Sequence, residues 1–233
     1  MPSDNLKEDF DKIFKEVIVP FSKELGFKRK VQNFSRQTND IIQCFNIQKS
    51  KWNSIDNVSF TFNLGFFNQE IINLSEDKEA RLEFPKEYDC FLRSRLGTFS
   101  HKRDHWYELN RRTDVNITAN QVKDDLQTIL LPLFEKHKSL TDLKSFVDSS
   151  EKSYDFIMTP YNHIVYLMKT NQFEKGKTLI QEHYKKANTS QISTQTMTYP
   201  NGRSVVTTSK PSLNQHSIDT IERLARLYNI KLK

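Results

Sequence analysis

The sequence predicts an α+β fold: an antiparallel sheet of about four to six strands packed on helices, followed by a helical C-terminal region. Three observations carry this. Residues 58–66, Val-Ser-Phe-Thr-Phe-Asn-Leu-Gly-Phe, alternate strictly between apolar and polar or small residues, as a strand with one buried face requires. Before and after the strands, apolar residues recur at three- and four-residue spacing, the period of a helix. From residue 139 onward the helical period dominates, which separates an α+β domain at 1–138 from a helical region at 139–233.

The first element is a helix. Leu6, Phe10, Ile13, Phe14, Val17, Phe21 and Leu25 form its stripe, Ser3 can cap its start, and Gly26 can end it in the left-handed conformation. Pro20 lacks an amide hydrogen and predicts a kink or break. Strands at Asn33 to Thr38 and Ile41 to Lys51 follow, joined by a tight turn at Asn39-Asp40. The alternating strand then turns Val58, Phe60, Phe62, Leu64 and Phe66 inward, with Ser59, Thr61 and Asn63 on the other side. Residues 68–88 are polar, include Pro85, and read as a connection with a helical turn. Further strands are expected near Cys90 to Leu96 and His105 to Asn110. A helix opening at Thr118 runs to about His137 and carries a second proline, Pro132.

The remainder reads as a short helix at Leu140 to Asp148, a helical pair at Tyr161 to Lys169 and Phe173 to Lys186, and a last helix at Ser217 to Asn229. The pair has the length of a tetratricopeptide unit, but one copy cannot bury the faces such repeats stack, so a plain helical hairpin is expected. The stretch 189–214 is rich in Thr and Ser. Within it Tyr199-Pro200-Asn201-Gly202 is a turn signal, making the stretch either a mobile surface loop or a hairpin-like binding arm.

Hydrophobic residues make up 36% of the 233, a modest share that 17 Phe and 8 Tyr offset through their large individual areas. The net charge is +6 and the pI about 9.1, a balance suited to nucleic acid, an acidic protein or an anionic surface. Lys28, Arg29, Lys30, Arg36, Lys49 and Lys51 stand against Asp40 alone in the stretch 28–51. That is either a nucleic-acid contact or a solvated sheet edge protected by lysine. Cys44 and Cys90 both fall in strands, and the first residues lack a basic segment leading into an apolar run. Reduced thiols in a cytoplasmic protein are therefore expected, with no membrane span.

Gly26-Phe27-Lys28, Asn46-Ile47-Gln48-Lys49-Ser50, Phe60-Thr61-Phe62-Asn63-Leu64-Gly65, Cys90, Arg93-Ser94-Arg95-Leu96-Gly97 and Asp104-His105-Trp106 occur in this order. Together they resemble the bacterial family catalogued as domain of unknown function 4304, over roughly residues 6–135. The resemblance implies an α+β domain of mostly bacterial occurrence and brings no activity or site residues to carry over.

No catalytic motif emerges. The five glycines form no phosphate loop, and no Gly-x-Ser-x-Gly elbow is present. His101-Lys102-Arg103-Asp104-His105 offers two imidazoles and a carboxylate, but such clusters are mostly plain polar loops, and a polar loop is the expectation rather than a metal site. The stronger constellation is a face. Asn46, Gln48 and Ser50 share one side of their strand, Ser59, Thr61 and Asn63 one side of the next, and pairing the two makes those sides coincide. Arg93 and Arg95 also share a side. Amides and guanidinium forks suit an acidic or peptide-like protein partner, with Lys49 beside them and Trp52 and Trp106 as aromatic anchors. A merely solvated sheet face explains the same pattern. The sequence thus points to a non-catalytic protein-binding or accessory module, such as an immunity-type partner, without cofactor and of open oligomeric state. The alternatives are a nucleic-acid-binding protein using 28–51 and a hydrolase or metal enzyme using 93–106.

Overall fold

Four strands joined by short turns form one side of the sheet: β1 (Lys28–Lys30), β2 (Asn33–Gln37), β3 (Ile42–Lys49) and β4 (Asn57–Phe67). The computed structural model describes residues 5–79, 81–100, 104–112, 114–150, 156–190, 194–208 and 212–233. It divides into two compact units, 1–73 with 79–159, and 74–78 with 160–233. In the first unit β5 (Leu92–Arg95) and β7 (Phe156–Ile157) complete an antiparallel order β1-β2-β3-β4-β5-β7, and β6 (Tyr107–Asn110) also pairs with β4. β4 serves two partners on one edge because it is 11 residues long. Residues 63–66 bond β5 and residues 57–60 bond β6. The sheet has seven strands; β1 and β7, of three and two residues, are too short to show a period in the sequence.

The alternation in β4 works as predicted. Phe60, Phe62, Leu64 and Phe66 are each 0% exposed. They pack beneath two long helices, each absorbing its proline in the same way. α1 (Leu6–Ile13) passes through a π-helical turn, Phe14–Ile18, into α2 (Val19–Glu24), which holds Pro20. α5 (Val115–Asp125) passes through Leu126–Leu130 into α6 (Leu131–Lys136), which holds Pro132. A proline cannot donate to the carbonyl four residues back, and a widened turn just before it accommodates both the missing bond and the ring. Between these pairs lie α3 (Gln69–Glu76), a full helix where a turn was expected, and α4 (Leu96–Ser100). Ile71 and Ile72 give α3 its buried side. α7 (Lys144–Ser150) follows α6.

Phe10 meets Phe60 edge-on at 5.1 Å, Phe34 stacks on Phe45 at 4.4 Å, and Phe134 meets Phe66 at 5.8 Å. Each such ring contributes about 1.5–3 kcal/mol by burial. One polar side chain enters this layer. Gln43 is 0% exposed and donates Nε2 to the carbonyls of Phe134 (2.6 Å) and His137 (2.7 Å), while Oε1 accepts from Arg36. Arg36 also donates to the Leu25 carbonyl and to Glu135. The carbonyl end of α2 is thus held by the Arg36 guanidinium, as the helix dipole favours, and that of α6 by the Gln43 amide that Arg36 in turn anchors.

The second unit contains α8 (Pro160–Lys169), α9 (Phe173–Ala187) and α10 (Gln215–Leu227) around Ile164, Leu167, Ile180, Ile218, Ile221 and Leu224. α8 and α10 end alike. Asn171 and Asn229 take φ values of 58° and 53°, and the next amide bonds the carbonyl five residues back, Gln172 to Leu167 and Ile230 to Ala225, both at 2.8 Å. This is the Schellman arrangement, which satisfies carbonyls a helix end leaves open. The Thr-rich stretch forms a hairpin, β8 (Thr194–Thr198) and β9 (Ser204–Thr208), turning at Tyr199–Gly202 with Gly202 at φ 79°. Every residue of both strands is exposed.

Candidate binding face

Antiparallel register carries one row of side chains straight across five strands. Lys30 pairs with Asn33, Asn33 with Asn46, Asn46 with Asn63, and Asn63 with Arg95. Residues directly opposite in a ladder share a face. The result is a row of three asparagines with a cation at each end, spanning roughly 19 Å at the usual strand spacing. Gln48, opposite Thr61, lies one step further along. Lys30 and Asn33 are the members that sequence reading missed. Lys28-Arg29-Lys30 reads as a charge run, and only its pairing with β2 brings Lys30 into line.

The hydrogen bonds within the row give it a polarity. Asn63, 8% exposed, donates Nδ2 to Asn46 Oδ1 (3.0 Å) and to Gln48 Oε1 (2.8 Å). Each of these oxygens thereby accepts one hydrogen bond from within the row, and among the described residues no partner takes the amide hydrogens of Asn46 and Gln48. Arg95 bonds Asp104, which also accepts from Trp106 Nε1 at 3.1 Å, and its guanidinium lies 5.4 Å from the Trp106 ring. At the other end Lys30 Nζ sits 4.9 Å from the Phe84 ring. The row thus presents a cation at each end and amide donors between them, beside the Asp104 carboxylate that Arg95 holds. Thr61 is on the same face but buried, its hydroxyl donating to the His105 carbonyl at 2.8 Å, so the segment at His105 closes the face there.

The adjacent row is closed. Lys28, Ser35, Cys44, Gly65 and Arg93 align across the same strands, but the segment around Pro85 to Cys90 lies over the middle of it. Cys44 Sγ donates to the Pro85 carbonyl at 3.3 Å, and a Cβ on Gly65 would come within 2.7 Å of Cys90 Cβ and Sγ, so only glycine lets this cover seat. Both cysteines are free and buried; burial first, then the neighbouring Cys44, pushes the Cys90 thiol well above its ordinary pKa. Arg93 grips Glu87 through Nε (2.7 Å) and Nη2 (3.3 Å). This pair ties Arg93 to the covering segment, whereas Arg95 stands at the end of the open row.

Lys49 belongs to the opposite face, opposite Phe60, with Nζ 3.8 Å from the Phe10 ring centroid. Partial burial pulls its pKa below the usual lysine value, opposed by Asp11 and assisted by Lys7. Trp52 lies in the β3–β4 turn, 80% exposed, with Lys51 5.0 Å from its ring. The cations of 28–51 do not form one stripe, since Lys28 and Lys30 share the polar face while Arg29, Arg36 and Lys49 lie on the other. His101, Lys102 and Arg103 lie outside the described residues. Among the described residues, no three His, Cys, Asp or Glu side chains are grouped to hold a metal, and no helix is long and apolar enough to cross a membrane.

No curated protein and no solved structure matches the chain. A family model, Domain of unknown function (DUF4304), matches residues 18–136, just over half of its length, and this span holds the whole asparagine row together with its closed neighbour. The chain belongs to the DUF4304 family.

Proposed function

We propose that the protein is a non-catalytic binding module whose open row docks an acidic, acceptor-rich segment of a protein partner. The observation that carries this is the internal amide network, in which Asn63 donates to the oxygens of Asn46 and Gln48 while no described partner takes their N–H groups, in a row bounded by Lys30 and Arg95. Carboxylates and backbone carbonyls are the complement of such a surface. Apolar anchors stand at the same end of the sheet. Ile47 donates to the Gln32 carbonyl, so the β1–β2 turn flanks the β3–β4 strands near their own turn, and Val31, Trp52 and Ile55 there are 82%, 80% and 75% exposed. Val31 holds φ at 57°, a conformation that is rare for a β-branched residue and is retained where surroundings or function demand it.

The test is affinity capture from lysate after nuclease treatment, comparing the native chain with a Lys30→Glu/Arg95→Glu variant of matched melting temperature. A protein retained by the native chain and lost by the variant is the expected result. Equal retention by both, or retention that disappears with nuclease, would remove the row from the function.

A further inference from the structure

The net charge of the chain resides in one unit. Residues 74–78 and 160–233 carry twelve Lys and Arg against six Asp and Glu, while the first unit carries twenty-three of each. No acidic residue occurs between His183 and Ile218, a stretch that holds Lys185, Lys186, Arg203 and Lys210. The excess is concentrated in a groove of about 630 Å³ lined by Lys177, Gln181, Lys185, Lys231 and Lys233, with Glu182 its one carboxylate side chain. Lys177, Gln181 and Lys185 follow one another at four-residue intervals on α9, about 12 Å from end to end. The second wall is built by the chain itself. The Schellman turn at Asn229 reverses the direction after α10, and Gln181 clasps the returning segment, donating Nε2 to the Lys231 carbonyl (2.7 Å) and accepting from the Lys233 amide (3.1 Å). Among the described residues none of the four lysines has a carboxylate within ion-pair distance. Arg36, Arg93, Arg95 and Arg111 of the first unit, by contrast, each meet one.

We infer that this groove is a nucleic-acid backbone site, a second binding function independent of the sheet face. Unpaired lysines act as point charges for phosphates, and their spacing along an open groove between α9 and the returning segment suits a polyanionic strand lying in it. No feature of the groove selects a base, so binding is expected to be independent of sequence.

The experiment is fluorescence anisotropy of a labelled single-stranded oligonucleotide with the full chain across a salt series, with sedimentation of anionic phosphatidylserine vesicles in parallel. Four phosphate contacts predict an affinity that falls roughly 50-fold from about 50 to about 200 mM salt, with a slope of log affinity against log salt of about −2.8. Lys185→Gln should reduce that slope by about 0.7, and the fourfold Lys→Gln variant should abolish most of the binding. Gln181→Ala, which releases the clasp without changing charge, should weaken binding while α9 stays folded by circular dichroism. The absence of binding at about 50 mM salt, a slope unchanged in every variant, or vesicles bound as well as the oligonucleotide would each overturn the assignment. The single Lys185→Gln slope decides the matter if the fourfold variant does not fold.

Discussion

Arg93 and Arg95 stand two residues apart on one strand, on one face, and each meets one carboxylate, yet the two halves of the face around them differ. Arg93 pairs with Glu87, whose side chain is 5% exposed; Arg95 pairs with Asp104, which is 51% exposed. Period-two geometry delivers both arginines to the same side and stops there. What separates them is a cover supplied by the segment around Pro85 to Cys90, seated where Gly65 leaves room. Under the cover an ion pair is a structural member; outside it the same chemistry faces solvent and is free to be shared with a partner.

Substitution can break this contrast at three points. The largest effect is expected from Arg93→Ala, which leaves Glu87 buried without its counter-ion and should cost about 3–5 kcal/mol in urea unfolding. Adding Glu87→Leu should recover part of the loss. A cost near zero for the single variant would show the closed half to be as wet as the open one. Next comes Gly65→Ala, whose methyl collides with Cys90 and should cost about 1–3 kcal/mol, again by urea unfolding. A neutral result there would mean the cover is not tightly seated. Smallest is Arg95→Ala, expected to change stability by about 0–1 kcal/mol because its pair is exposed. Thermal melting would check it, and a loss comparable to that of Arg93→Ala would erase the distinction.

Much of this face was legible in the sequence because strands encode sides. The run from Val58 to Phe66 fixed which residues of β4 face the helices, and the same period placed Asn46, Gln48, Arg93 and Arg95. Long-range cover left no local trace. Nothing near Arg93 announces Glu87 as its partner, since the two meet across a 3-10 turn (Glu87–Asp89) and a change of direction. Gln43 shows the converse. Its amide reads as a polar residue in a strand, but it is fully buried because the carbonyl ends of two helices converge on it and on Arg36. Lys49 was drawn into the site by neighbourhood in sequence and excluded by parity. The charge asymmetry was present in the composition throughout, but it becomes meaningful only once the boundaries of the two units assign each residue to a body.

The length of β4 also bears on how the first unit assembles. β1 to β4 are linked by connections of two, four and seven residues, so their pairing closes only small loops and should be fast. β5 and β6 arrive from further along the chain and have no edge to join until β4 has folded onto β3. One strand is therefore both the product of the local step and the template for the distant one. Its early ordering commits the face that carries the asparagine row before the segment that closes the neighbouring row has docked.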